Sequence, residues 1–107
     1  MIKELTYEDV YKVTIETAKE LMSKSFYYYK KEVPEITPQS RLKEDLNIDS
    51  LDRIDFLLLV EDVYKVELID EESKEEEKDF YGTQTIEEFS WYLHKKLTGG
   101  YGELRRY

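Results

Sequence analysis

Cysteine is absent from this chain of 107 residues, and histidine occurs only once, as His94. Without a thiol the chain has no disulfide, no thiolate metal ligand and no cysteine nucleophile. One histidine leaves too few parts for a Ser-His-Asp triad, and the Gly-x-Ser-x-Gly turn of a hydrolase is also missing. No segment is long and apolar enough to span a bilayer, and residues 1–4 form no apolar signal core. These absences disfavour an enzyme and predict a cytoplasmic protein without a membrane span.

Glycine and proline are scarce, with four and two copies. The glycines form no phosphate-binding loop, and the acidic residues have no metal-ligand spacing, so we predict no metal site. Both prolines, Pro34 and Pro38, lie in one stretch, where they end a helix and begin a long connection.

Negative charge is the most prominent feature of the composition. The chain has 25 acidic and 16 basic residues, a net charge of −9. An acidic chain repels phosphate backbones, which disfavours nucleic-acid binding. Basic patches on proteins are the partners that this charge favours.

Apolar residues recur at helical spacing in three segments, which predicts helices at about 6–25, 50–64 and 85–97. Thr6 and Thr85 are suitable caps for the first and last, and Asp49 or Ser50 for the second. No segment has the pattern of a strand. We therefore predict an all-α fold, a small antiparallel bundle of three to four helices with a long first loop. One domain at 1–98 is expected, followed by a flexible tail at 99–107.

The second predicted helix is apolar on two sides. The first stripe, assigned to the core, consists of Phe56, Leu57, Val60, Val63 and Tyr64. The opposite stripe consists of Leu51, Ile54 and Leu58, together with Asp55 and Asp62. Unpaired buried carboxylates are costly, so an exposed stripe that binds a partner fits the acids. Burial of these leucines under another helix is the alternative.

Ser50 lies at the start of this helix, within the segment Asp45-Leu46-Asn47-Ile48-Asp49-Ser50-Leu51. A serine there is ordinarily a helix cap. The amide-rich start of a helix also favours a phosphate group electrostatically. The segment resembles the phosphopantetheine attachment motif of acyl carrier proteins. The resemblance extends from about residue 36 to residue 97, because the acidic helix and the Thr85-capped helix follow in the expected order.

The resemblance implies that a phosphopantetheinyl transferase attaches 4′-phosphopantetheine from coenzyme A to Ser50. The thiol of this covalent cofactor then holds an acyl group as a thioester, in fatty-acid, lipid or polyketide biosynthesis, so the missing cysteine is no obstacle. Asp49 and Leu51 match the positions that flank the modified serine. The implied partner-binding positions are Asp52, Ile54, Asp55, Leu58, Glu61 and Asp62, in addition to Leu51. The implied acyl-pocket residues are Leu46, Phe56, Val60, Leu68 and Phe89.

Several departures from the family pattern together favour a specialised carrier over the housekeeping fatty-acid protein. Asn47 replaces the usual glycine, Arg53 places a positive charge in the partner-binding helix, and the charged stretch 73–81 is long. The first helix and the tail are also longer than in a minimal carrier. The expected partners are the transferase and acyl-transferring or synthase enzymes with basic docking patches, and we expect a monomer. The alternative function is an unmodified acidic helical adaptor that binds a basic protein.

Overall fold

Three helices form the framework of the computed structural model, which describes residues 4–24, 32, 34–68, 80–99 and 105–106. The elements in chain order are α1 (Tyr7–Ser23), α2 (Ser50–Tyr64), β1 (Val66–Glu67), α3 (Ile86–Leu97) and β2 (Arg105–Arg106). Residues 80–82 are also helical. The predicted fold class is confirmed, since the domain is small and mostly helical with a long connection between α1 and α2. None of the described helices is long and apolar enough to cross a membrane.

Each helix begins at a polar cap that satisfies backbone amides left free by the first turn. At α1, Thr6 Oγ1 accepts from the Asp9 amide at 3.2 Å, and Asp9 accepts in return from the Thr6 amide. At α3, Thr85 Oγ1 accepts from the Glu88 amide at 3.1 Å. The predicted boundaries of α2 and α3 agree with the observed ones. Helix α1 ends at Ser23, slightly earlier than the predicted end at residue 25. The aromatic run 26–29 lies outside the described residues.

The helices pack antiparallel where α1 meets α3. The ring of Tyr7, at the start of α1, stacks on Trp91 in the middle of α3 with centroids 4.1 Å apart. His94 Nε2 lies 3.0 Å from the carbonyl oxygen of Leu5. These contacts hold the end of α3 against the start of α1, which leaves the start of α3 at the other end of the bundle.

The long connection reaches the start of α3 through backbone hydrogen bonds. The Leu42 amide donates to the carbonyl of Gln84 at 2.9 Å, and the Ile86 amide donates to that of Ser40 at 3.0 Å. Leu42 is fully buried, so its side chain anchors this connection to the core. The segment before α2 is therefore fixed against α3.

The core lies between the three helices and the long connection. Phe56 of α2 meets Phe89 of α3 edge to face, with ring centroids 4.9 Å apart. From the first predicted stripe of α2, Phe56, Leu57 and Val60 are buried and Tyr64 is half-buried. Val63 is exposed, which is a correction to the predicted stripe. The last turn of α2 packs against the core through Tyr64 instead.

The structure also contains one short pair of strands, for which the sequence shows no strand pattern. Val66 of β1 pairs with Arg106, and Glu67 with Arg105, in an antiparallel two-residue ladder. Residues 105 and 106 belong to the segment predicted as a flexible tail, and their backbone returns to the end of α2. Strand pairing between segments so distant in sequence leaves no local pattern. The proposed boundary between domain and tail stays a prediction.

Candidate functional site

Asp49, and not Ser50, caps α2. Its Oδ1 accepts from the backbone amides of Leu51 at 3.0 Å and Asp52 at 2.9 Å. Asp52 Oδ2 accepts in return from the Asp49 amide at 3.2 Å, which completes a capping box. Because Asp49 performs the capping, Ser50 becomes the first helical residue and its hydroxyl is not needed to hold the helix start.

Ser50 is exposed, and its hydroxyl makes no hydrogen bond to any residue that the structure describes. The turn before it is rigidly anchored, because Leu46 and Ile48 are buried in the core. Between them, Asn47 has a φ of 57°, a left-handed conformation that asparagine tolerates better than most residues. The result is an exposed hydroxyl on a fixed helix start, open to an approaching enzyme.

Two carboxylates flank this hydroxyl and have opposite pKa shifts. The amide of Asp52, which donates to Asp49, holds the pKa of Asp49 below its usual value. Burial, together with the nearby charge of Asp49, raises the pKa of Asp52. The start of α2 therefore has one carboxylate whose ionised form is stabilised and one whose ionised form is disfavoured.

The side of α2 that carries Ser50 also presents the second stripe predicted from the sequence. Leu51 is 77% exposed and Leu58 is 49% exposed, with Asp55 and Asp62 also exposed between and after them. Ile54 is half-buried against the core. We call Leu51, Asp55, Leu58 and Asp62 the outer face of α2. The sequence left two interpretations of this stripe, an exposed surface or leucines buried under another helix. For Leu51 and Leu58 the exposed surface is correct.

Glu61 is a correction to the predicted partner-binding set. Its side chain is only 7% exposed, and its Oε2 accepts a 2.6 Å hydrogen bond from the backbone amide of Leu68. The carboxylate therefore holds the chain that leaves β1. It is not available on the outer face of α2.

Arg53 is a second correction, because the sequence analysis placed its charge on the partner-binding surface. The side chain is 9% exposed, and its Nη1 donates to the carbonyl of Phe80 at 3.0 Å and to Thr83 Oγ1 at 3.3 Å. Burial lowers the pKa of Arg53. The guanidinium fixes the segment before α3 and does not add positive charge to the outer face.

A groove of about 630 Å³ lies between the end of α1 and the outer face of α2, beginning close to Ser50. Its apolar lining is Leu21, Met22, Leu46, Ile48, Leu58 and Leu59. Its polar lining is Lys24, Asn47, Asp52, Asp55 and Asp62. The sequence analysis did not predict a groove here. The only signal was the double stripe of α2, and the part contributed by α1 depends on how the helices pack.

The five predicted acyl-pocket residues, Leu46, Phe56, Val60, Leu68 and Phe89, are all buried in the core. Among them only Leu46 lines the groove. The structure brings the other four together as packed core side chains, and their role around an acyl chain stays a prediction. Within the described residues no cluster of histidine and acidic side chains has the arrangement of a metal site.

Comparison with known proteins finds similarity over part of the chain. A segment of 40 residues is 42% identical to the acyl carrier protein of Helicobacter hepaticus, and this match covers 37% of the chain. The chain spans about half the length of that relative, 53%. No family model matches the chain, and no solved structure matches it. The resemblance stated from the sequence is therefore confirmed as a distant similarity to an acyl carrier protein.

Proposed function

We propose that the protein is a carrier that holds acyl groups as thioesters on a 4′-phosphopantetheine arm attached to Ser50. The observation that carries this proposal is that the helix cap and the exposed hydroxyl at the start of α2 belong to two different residues. Asp49 supplies the cap, and the adjacent hydroxyl is exposed with no structural bond among the described residues. The distant similarity to an acyl carrier protein supports the same role.

The chemistry needs only an accessible nucleophilic oxygen from this chain. In the transfer, Ser50 Oγ forms a bond to the phosphorus next to the pantetheine of coenzyme A. The bond from that phosphorus to the adenosine bisphosphate breaks, and the hydroxyl proton leaves to a base on the transferase. The new phosphodiester lies at the amide-rich start of α2, where negative charge is favoured.

The outer face of α2 is the proposed docking surface for the transferase and for acyl-transferring or synthase enzymes. It presents two exposed leucines between carboxylates. Such a surface fits an apolar groove ringed by basic side chains on the partner. From the predicted partner-binding set, Asp52, Ile54, Asp55, Leu58 and Asp62 remain in this proposal, and buried Glu61 does not.

The carrier itself is proposed to be non-catalytic, because the thiol that bears the acyl group arrives with the cofactor. A pathway of fatty-acid, lipid or polyketide type, a cytoplasmic location and a monomeric state are the settings in which we expect it to work. The buried position of Arg53 removes one of the departures that favoured a specialised carrier. The specialised role now depends on Asn47, the stretch 73–81 and the longer first helix and tail.

Intact-mass measurement after incubation with coenzyme A and a phosphopantetheinyl transferase tests the attachment. We expect one added phosphopantetheine on the native chain and none on Ser50→Ala. Ser23→Ala is the matched control, because Ser23 is also an exposed helical serine but its hydroxyl donates to the carbonyl of Glu20. Addition to Ser50→Ala, or its loss in Ser23→Ala, contradicts the assignment.

The unmodified adaptor is the second candidate, and the 77% exposure of Leu51 favours it equally. An adaptor needs the outer face of α2 but not the hydroxyl. It therefore predicts that Ser50→Ala keeps full cellular function, whereas the carrier predicts complete loss. Complementation of a strain that lacks the protein separates the two.

A further inference from the structure

The groove between α1 and α2 begins where an arm on Ser50 is anchored. Asp52 and Asp55 line it from the first turns of α2, and Asp62 lines it near the end of that helix. At 1.5 Å per residue, the ten residues from Asp52 to Asp62 span about 15 Å. A group tethered at Ser50 is held close to this groove at a high effective concentration.

The groove has the size and lining of a small-molecule site. Its volume of about 630 Å³ lies within the range of about 300–1,000 Å³ that is usual for ligand pockets. Four leucines, a methionine and an isoleucine supply its apolar surface. The tethered group that fits this surface therefore has an apolar portion.

The charge of the groove favours some apolar acyl groups over others. Lys24 pairs with Glu20 at 3.0 Å, and Asp62 pairs with Lys65 at 3.2 Å. Among the described residues, Asp52 and Asp55 have no basic partner, so the end of the groove near Ser50 has unbalanced negative charge. A plain hydrocarbon chain placed there would remove water from these carboxylates without replacing it, which is unfavourable.

We propose that this groove receives the group carried on Ser50, and that this group is an acyl group with an ammonium and an apolar side chain, as in an α-aminoacyl thioester. The proposal rests on the proposed attachment at Ser50. The ammonium lies against Asp52 and Asp55, and the apolar side chain lies against Leu58 and Leu59. The raised pKa of Asp52 supports the assignment, because a nearby cation would stabilise the ionised form of that carboxylate.

A chemically matched pair of cargoes tests the proposal independently of any transferase. The native chain has no cysteine, so Ser50→Cys creates a single thiol. One sample receives, through that thiol, a pantetheine-like arm that ends in a leucyl amide, and the other an arm that ends in a 4-methylpentanoyl amide. The two ends have the same carbon skeleton and differ only in the α-amine.

Amide chemical shifts in the groove report which cargo binds. We expect the leucyl arm to occupy the groove about two- to fivefold more than its partner at low salt, the range of one exposed ion pair, with a smaller difference at high salt. The double variant Asp52→Asn/Asp55→Asn should remove the difference. The control Glu8→Gln/Glu16→Gln removes as much charge from exposed positions of α1 that do not line the groove, and it should preserve the difference.

Equal occupancy by the two arms, or a groove untouched by both, overturns the proposal. So does a difference that survives the double Asn variant. Failure of a transferase to modify Ser50 would instead overturn the proposed attachment, while the comparison of cross-linked arms would still give its result. The two failures are therefore distinguishable.

Discussion

The two sides of α2 carry charged residues for different purposes. On the outer face, Asp55 and Asp62 are exposed beside the exposed side chains of Leu51 and Leu58. On the inner side, Arg53 and Glu61 are buried and bind backbone groups of the chain that connects α2 with α3. The sequence analysis assigned all four charges to one recognition surface. The comparison shows that charge on an acidic helix can hold the fold as well as attract a partner.

Glu61 should give the largest effect on stability. Glu61→Ala leaves the buried Leu68 amide without its acceptor, which we expect to reduce the free energy of unfolding by about 1–3 kcal/mol. Glu61→Gln keeps an acceptor oxygen and should lose less. Urea unfolding of the two variants measures this. If both variants lost a negligible amount of the free energy of unfolding, Glu61 would have no structural role and would resemble the exposed charges of the outer face.

Arg53 should matter less for stability than Glu61. In Arg53→Met, the carbonyl of Phe80 still accepts from Thr83 Oγ1 at 2.8 Å, and a poorly solvated charge is removed. We expect a loss of about 1 kcal/mol, as for one ordinary hydrogen bond. The transferase should modify this variant at the native rate. A clear fall in kcat/KM without unfolding would return Arg53 to the recognition surface.

The outer face should behave in the opposite way. Asp55→Asn and Asp62→Asn should change the free energy of unfolding by no more than about 0.5 kcal/mol. Each should lower kcat/KM for modification of Ser50 about two- to fivefold, more at low salt, because an exposed charge pair with the transferase is lost. Glu16→Gln on α1 is the control and should leave kcat/KM unchanged. An equal effect from Glu16→Gln would indicate only a dependence on net charge.

The smallest effect concerns Asp49 and acid. Its folded-state pKa is lowered, so its contribution to stability is complete above the unfolded pKa near 4 and is lost as the pH falls through the lower folded value. In Asp49→Asn the asparagine can still cap the helix but does not titrate. The melting temperature of this variant should therefore decline less steeply below about pH 4 than that of the native chain. Parallel melting curves for the two proteins from pH 5 to pH 2.5 would contradict this assignment.

The sequence was sufficient for features of α2 that depend on neighbouring residues. The boundaries of α2 follow from residue type and spacing, and they agree with the structure. The sequence narrowed the cap to Asp49 or Ser50 and the leucine stripe to an exposed or a covered position, and the structure decided both in favour of Asp49 and exposure. The burial of Arg53 and Glu61 could not be predicted in this way. It depends on Phe80 and Leu68, whose positions are set by how the chain folds back after α2.

The groove shows the same limit. The sequence predicts the side supplied by α2, because Asp55 and Leu58 belong to its second stripe. Leu21 and Met22 of α1 have the spacing of ordinary core residues, so the sequence gives no reason to expect them in a groove. Only the packing of α1 against α2 brings the two linings together.

The most direct test of the central claim is the intact mass of the protein purified from its native host, followed by mapping of any modified peptide. We expect an excess mass equal to one 4′-phosphopantetheine, with or without an acyl group, on the peptide that contains Ser50. A chain that has only its unmodified mass in cells that contain an active transferase, or a modification on another residue, would contradict it.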